Sequence, residues 1–196
     1  MNSILRRRRA LMEKTSDSDL IYSVYNHVIA SGDVLLTNTP IWKSGQDLTI
    51  LFDFQQTSNP TGASDYGRTY RLLYFKNTPA DVTGLSIGKK NRGDNTIRTF
   101  YMGVEHDMTG SSTSTGRYRI AITHQANSNT INLKYKKDNG STLDFSYSET
   151  FTAAPNDFLE VGHAQNSSYS APPGTVTKLE IYKTVLDSAT INAFFA

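Results

Sequence analysis

From Leu20 onward this chain is written in twos. Leu48, Ile50, Phe52 and Phe54 alternate with Thr49, Leu51 and Asp53. Tyr70, Leu72 and Tyr74 alternate with Arg71, Leu73 and Phe75, and Tyr118, Ile120 and Ile122 with Arg117, Arg119 and Thr123. Ile131, Leu133 and Tyr135 follow, then Leu143, Phe145 and Tyr147, and finally Leu179 and Ile181 between Lys178, Glu180 and Tyr182. Successive side chains on a strand point to opposite faces, so each run predicts a half-buried strand. Asp138-Asn139-Gly140 predicts a hairpin between two such runs. Asn59-Pro60-Thr61-Gly62, Asn91-Arg92-Gly93-Asp94, Pro172-Pro173-Gly174 and the Gly110–Gly116 stretch predict loops. One body helix is expected after Asp187, capped by Asp187 or Ser188 and filled by Ala189, Ile191, Ala193 and Phe194. About a dozen short strands without an internal linker predict an all-β fold, a two-sheet antiparallel sandwich.

Composition excludes several chemistries. The 196 residues hold no cysteine, which removes disulfides, a cysteine nucleophile and thiolate zinc sites. Abundant Ser, Thr, Asn and Tyr suit strands and loops better than a helical bundle. The formal charge of +2 is divided unevenly. Residues Met1–Lys14 carry Arg6, Arg7, Arg8, Arg9 and Lys14 against Glu13 alone, while the other 182 residues hold 15 basic and 17 acidic groups. The body is mildly acidic, which argues against a basic nucleic-acid-binding face. The arm lacks the apolar core of a signal peptide, and no stretch approaches a membrane span, so no secretion signal or membrane insertion is expected. Its arginines suit docking on an acidic protein surface, contact with nucleic acid, or an import-like basic run. A solvated terminus is the ordinary alternative. Docking is the favoured expectation, with Ile4, Leu5, Arg6, Arg7, Arg8, Arg9, Leu11 and Met12 as the anchoring residues.

Two signatures in the body resemble the concanavalin A-like lectin/glucanase superfamily, in its LamG-like jelly-roll branch. The opening one is Val34-Leu35-Leu36-Thr37-Asn38-Thr39-Pro40-Ile41-Trp42 followed by Gln46-Asp47-Leu48-Thr49-Ile50-Leu51-Phe52-Asp53-Phe54. The closing one runs from Phe158-Leu159-Glu160-Val161-Gly162 to Gly174-Thr175-Val176-Thr177-Lys178-Leu179-Glu180-Ile181-Tyr182, then into the helix at Ile191, with Thr190 where the family usually has an acidic residue. The resemblance covers residues 28–196 and implies a jelly-roll sandwich whose concave sheet often binds glycans; it does not imply one activity. Residues 1–27 are expected to form a separate basic anchoring arm. The opening Met1-Asn2-Ser3-Ile4-Leu5-Arg6-Arg7-Arg8-Arg9-Ala10-Leu11-Met12 resembles the starts of phage and prophage structural proteins. Together these imply a non-enzymatic virion component (tail, baseplate, head fibre or decoration) assembled in a bacterial cytoplasm, with other virion proteins and a host-surface glycan as partners. A free-standing carbohydrate-binding module is the alternative reading, and a degenerate glycoside hydrolase a remote one.

The candidate chemistry is sparse. Glycosidases of the superfamily carry Glu-x-Asp-x-x-Glu, which sets two carboxylates beside the scissile bond. The nearest approach is Glu105-His106-Asp107-Met108-Thr109-Gly110, where the last glutamate is replaced by Gly110, so no catalytic residues are assigned. Glu105 and Asp107 are read as a polar loop after a Phe100–Met102 strand, or as part of a calcium site, since some LamG-like domains use calcium in glycan binding. No other cofactor is expected. His27, His106, His124 and His163 are scattered, and His124 is expected to be a satisfied sheet histidine. Trp42 is read as core in preference to a sugar platform. Tyr66, Tyr101 and Tyr169 are the candidate glycan-contacting residues, because aromatic faces pack on the apolar faces of sugars. Arg92-Gly93-Asp94 is read as a turn.

Overall fold

A computed structural model describes residues 19–30, 35–36, 46–58, 69–76, 85–90, 96–101, 104–111, 114–149, 158–161 and 173–196. Twelve strands and one helix are described. The strands are β1 (Leu20–Ile29), β2 (Leu35–Leu36), β3 (Leu48–Gln56), β4 (Thr69–Lys76), β5 (Leu85–Lys90), β6 (Ile97–Tyr101), β7 (Val104–Asp107), β8 (Gly116–His124), β9 (Thr130–Lys137), β10 (Leu143–Ser148), β11 (Phe158–Val161) and β12 (Gly174–Tyr182). The helix is α1 (Ser188–Phe195). The strands form two antiparallel six-stranded sheets, ordered β1-β12-β3-β8-β9-β10 (sheet A) and β2-β11-β4-β5-β6-β7 (sheet B). This is the two-sheet jelly-roll sandwich that the alternating runs and the resemblance predict.

The main core unites inward residues of both sheets. Sheet A contributes Ile50, Phe52, Ile120, Ile122, Leu133, Leu179 and Ile181, and sheet B contributes Leu73, Leu85, Ile87, Ile97 and Val161, all buried. A smaller cluster lies on the opposite face of sheet A, where Leu51 and Ala121 meet Leu186 and Phe195 of the C-terminal segment. The half-buried reading of β3 and β8 is therefore corrected. Thr49, Leu51, Asp53, Arg119 and Ala121, at the outward positions, are buried too. A helix over the second face turns a two-sided strand into a fully enclosed one.

The helix is held by sheet residues at both ends. Asp187 is its N-cap, and its side chain accepts the Thr190 N–H at 2.8 Å, as the capping pattern predicts. Just upstream, Thr49 Oγ1 donates to the Thr184 carbonyl and accepts the Leu186 N–H. At the far end Arg119 Nη1 donates to the Ala196 carbonyl at 2.7 Å and Lys136 Nζ to the Phe195 carbonyl at 2.8 Å. Two cations thus meet the negative end of the helix dipole and satisfy its terminal carbonyls.

The β9–β10 hairpin is present, with Asp138 at φ 49° supplying the left-handed residue of its turn. His124 is buried, with Nδ1 3.2 Å from the Gln46 carbonyl and Nε2 3.0 Å from the Ser128 carbonyl, a satisfied sheet histidine. In β4 the alternation breaks: the ladder shifts register between Arg71 and Leu73, and Leu72 and Leu73 are both buried. The boundary between arm and body also moves. β1 begins at Leu20 and pairs along β12, from Leu20 opposite Tyr182 to Ile29 opposite Gly174, so residues 20–27 belong to sheet A.

Gly174 opens β12 at a place where nothing larger fits. A Cβ there would run into the Gln55 carbonyl oxygen and the Phe54 ring, well inside van der Waals contact. Both obstacles belong to the enclosed strand β3 and cannot swing away. Gly174→Ala is therefore expected to lower stability by about 1–3 kcal/mol through overpacking, read as a reduced urea midpoint with an unchanged denaturant slope.

Candidate functional site

Two clusters of polar side chains stand out, one on each sheet. The first is on the β6–β7 hairpin of sheet B, where Arg98 is opposite Asp107 and Phe100 is opposite Glu105. The Arg98 guanidinium forms an ion pair with Glu105 and lies with Nε 2.8 Å from Asp107 Oδ1. Its side chain is only 12% exposed, while those of Glu105 and Asp107 are 30% and 53% exposed. The expectation of a polar loop at Glu105 and Asp107 is corrected, since both lie in strand β7. One guanidinium serves both carboxylates, so no free acid/base pair is presented for glycoside cleavage. The same guanidinium engages both carboxylates proposed for calcium, and among the described residues no three His, Asp or Glu groups gather around a metal position.

Next to this hairpin the two sheets are joined at their edges. The His106 ring stacks on Tyr147 of β10 with centroids 4.3 Å apart, and its Nε2 lies 3.0 Å from Glu149 Oε1, at ion-pair distance. The Tyr147 hydroxyl donates to the Asp107 carbonyl. Tyr101 lies in the core beside this seam. It is fully buried, and its phenol is pushed up to about 12 by burial and by the nearby Glu149 charge. This corrects its assignment as a glycan contact: the residue falls on the inward phase of β6, with Ile97 and Thr99, and has no surface to offer. Tyr66, Tyr169, Trp42, His163 and Arg92-Gly93-Asp94 lie outside the described residues, as do the anchoring residues Ile4, Leu5, Arg6, Arg7, Arg8, Arg9, Leu11 and Met12.

The second cluster is on the outward face of sheet A, at β1 and β12. Register sets Ser23 opposite Glu180 and Tyr25 opposite Lys178. The Tyr25 hydroxyl donates to Glu180 Oε1 in a short hydrogen bond. Tyr182 donates to Oε2 at 2.6 Å, and Lys178 Nζ lies 2.9 Å from the same oxygen. Lys178 also stands 5.9 Å over the Phe194 ring, which joins the cluster to α1. Burial by itself pushes the Glu180 carboxyl up, but the hydrogen bonds from Tyr182, Tyr25 and Lys178 outweigh it and leave it below its ordinary value. Tyr25 is pushed up to about 12, first by its bond to Glu180 and then by burial and the carboxylate charge, with an opposing bond from Ser23.

In the sequence Lys178, Glu180 and Tyr182 read only as the polar phase of a strand, which conceals this cluster. Their spacing of two, with both charge signs and a phenol on one face, is the signal that was present. Tyr25 was assigned to the arm. Elsewhere on this face Arg117 Nε donates to both oxygens of buried Asp53 and Lys134 lies 2.6 Å from Asp144, and on the other phase of β9 Lys137 pairs with Asp138. These pairs leave no bare basic stripe on β8 and β9 of the kind that tracks a nucleic-acid backbone.

No family model matches the chain, and no curated protein matches it in sequence. Solved structures do match in fold. The CBM40 module of Ruminococcus gnavus IT-sialidase aligns at TM-score 0.64 with 13% identity, over 90% of this chain and 100% of the module. A form of that module bound to α2,3-sialyllactose aligns at TM-score 0.63 with 14% identity, over 89% of this chain and 97% of the module. The lumenal domain of VIP36 in a calcium-bound form aligns at TM-score 0.52 with 7% identity, over 86% of this chain and 82% of that domain. Peanut lectin aligns at TM-score 0.51 with 11% identity, over 83% of this chain and 85% of the lectin. The shared property is the concanavalin A-like jelly-roll fold.

The depressed Glu180 carboxyl gives a pH dependence of known sign. Its contribution to stability is present above the ordinary glutamate range and is lost as the pH falls through the folded-state value. Glu180→Gln is expected to lower stability at pH 7 and to flatten the acid limb of the stability–pH curve below about pH 4.5. Urea titrations of both proteins from pH 3 to 7 measure this, and parallel acid limbs would contradict it.

Proposed function

We propose that this chain is a non-catalytic carbohydrate-binding domain. The carrying observation is the fold correspondence with a carbohydrate-binding module, which runs over nine-tenths of this chain and the whole of the module. The cluster on β7 supports the non-catalytic part, because Arg98 engages both Glu105 and Asp107. The R. gnavus module has been captured with sialyllactose, and VIP36 with calcium and mannose. These bound forms support carbohydrate as the ligand class and leave the individual sugar to experiment. A calcium ion, if one contributes, draws on ligands other than Glu105 and Asp107. In calorimetric titration with calcium chloride, Glu105→Gln/Asp107→Asn is expected to behave like the wild type. A calcium signal lost in that double variant would restore the pair as ligands.

An array of neutral and sialylated oligosaccharides tests the reading directly. The expected result is saturable retention of the purified chain on at least one glycan class, with no release of reducing sugar on prolonged incubation. Uniform failure to bind would end the carbohydrate reading, and accumulating sugar would end the non-catalytic one.

Display on a phage particle is a proposal carried by residues 1–14 alone. β1 begins at Leu20, so a deletion of residues 1–14 stops short of the sheet. The truncated chain is expected to keep its thermal midpoint and its glycan binding while failing to enter particles. Normal incorporation of the truncation would reject the anchor.

A further inference from the structure

We propose that Tyr25 and Glu180, on the outward face of sheet A, form a stacking site for the apolar face of a neutral pyranose. The proposal rests on the carbohydrate-binding reading above and assigns that binding to a place. Tyr25 is a half-exposed aromatic side chain, at 52%. Its neighbours along β1 extend the same surface, with Ile21 43% and Val28 69% exposed. β1 is an edge strand, and the helix that covers sheet A packs over Leu51 of β3 and Ala121 of β8, two and three strands further in, with Phe194 reaching Lys178 of β12.

The ring is exposed yet fixed. Its hydroxyl donates to Glu180, a carboxylate that is itself 7% exposed and held by Tyr182 and Lys178. Ser23 bonds the same hydroxyl. A ring pinned at its far end loses little freedom when a sugar settles on it, which is the usual advantage of a preorganised site. The aromatic face supplies apolar contact to the C–H face of the sugar, while Lys178 and Ser23 stand at the rim. With its phenol pushed up to about 12, Tyr25 stays protonated and keeps donating to Glu180 at every physiological pH.

Charge decides the sugar class. Glu180 and Lys178 cancel, so the site has no net field to draw in a carboxylate. An acidic sugar would leave its own charge unpaired against a surface whose one cation is already engaged. This separates the site from one built to hold sialic acid.

The full chain is titrated by calorimetry with lactose, maltose, cellobiose and α2,3-sialyllactose, and every variant is first checked for an unchanged thermal midpoint. At least one neutral disaccharide is expected to bind. Tyr25→Ala is expected to weaken that binding about tenfold or more, in keeping with loss of one stacking contact. Tyr25→Leu keeps the apolar cover of the edge and is expected to lose binding as well, which separates ring stacking from simple burial. Tyr25→Phe keeps the ring but releases its anchor and is expected to fall between wild type and Tyr25→Ala. Asp107→Asn, on the other sheet, is expected to stay within about twofold of the wild type. Neutral binding that survives Tyr25→Ala, or that is lost in Asp107→Asn instead, overturns the site and leaves the carbohydrate reading intact. Binding of sialyllactose without any neutral disaccharide overturns the sugar class. Silence of the wild type toward all four probes overturns the site, while the carbohydrate reading falls only with uniform failure on the array.

Discussion

The burial of β3 on both of its faces organises the rest of this molecule. Eight of its nine residues are buried, and its inward side chains Ile50, Phe52 and Phe54 belong to the main core. Its outward side chain Leu51 is covered by the C-terminal helix. A strand enclosed on two sides cannot leave polar groups without partners. Thr49 therefore ties the turn before the helix, and Asp53 is neutralised by Arg117. The neighbouring β8 follows the same rule, with buried Arg119 aimed at the end of the helix. The helix is short and would be marginal alone, so its capping by Asp187 and its terminal contacts to Arg119 and Lys136 depend on the sheet beneath it.

Much of the fold was legible because alternation survives wherever one face of a strand meets the core. The runs in β9 and β12, the Asp138 hairpin and the Asp187 cap all read correctly from local pattern. What failed were the places where tertiary context adds a second layer. Leu51 and Ala121 are apolar at outward positions, and those two letters were the only hint that something covers sheet A. Leu72 broke phase in β4 through a register shift that the letters do not announce. Glu105 and Asp107 looked like a loop because acidic residues are poor strand formers, yet pairing with Arg98 across β6 makes a short charged edge strand acceptable.

The candidate sites divide along the same line. Tyrosines were nominated for their residue type, and burial cannot be judged from type alone. Tyr101 had the inward phase of β6, visible in the spacing Ile97, Thr99, Tyr101, and that phase outranked its chemistry. Tyr25 was hidden by a boundary drawn too late. Residues 20–29 contain no charged side chain, unlike the arm before them, and that change of composition marks where the sheet begins. Glu180 was hidden by the habit of treating the polar phase of a strand as solvent-facing. A carboxylate flanked at spacing two by a lysine and a tyrosine can satisfy itself within the sheet, and this one does.

Among the described residues, arginine and lysine chiefly hold the sandwich's own polar groups. Arg98 serves Glu105 and Asp107, Arg117 serves Asp53, Arg119 and Lys136 serve the helix terminus, and Lys178 serves Glu180. Each of these cations already points at a fixed oxygen, so an anionic ligand would have to displace a carboxylate or a helix carbonyl to reach one. Displacing a hydrogen-bonded partner of a part-buried charge costs more than a new contact at the surface returns. Under the carbohydrate-binding reading proposed above, these engaged cations leave recognition beside them to apolar contact and neutral hydrogen bonding. The half-exposed ring of Tyr25 offers the first, and the hydroxyl-rich strand faces around it offer the second. Under that reading, cations engaged in this way among the described residues favour a neutral sugar, even though the fold is shared with a module that has been seen holding an acidic one.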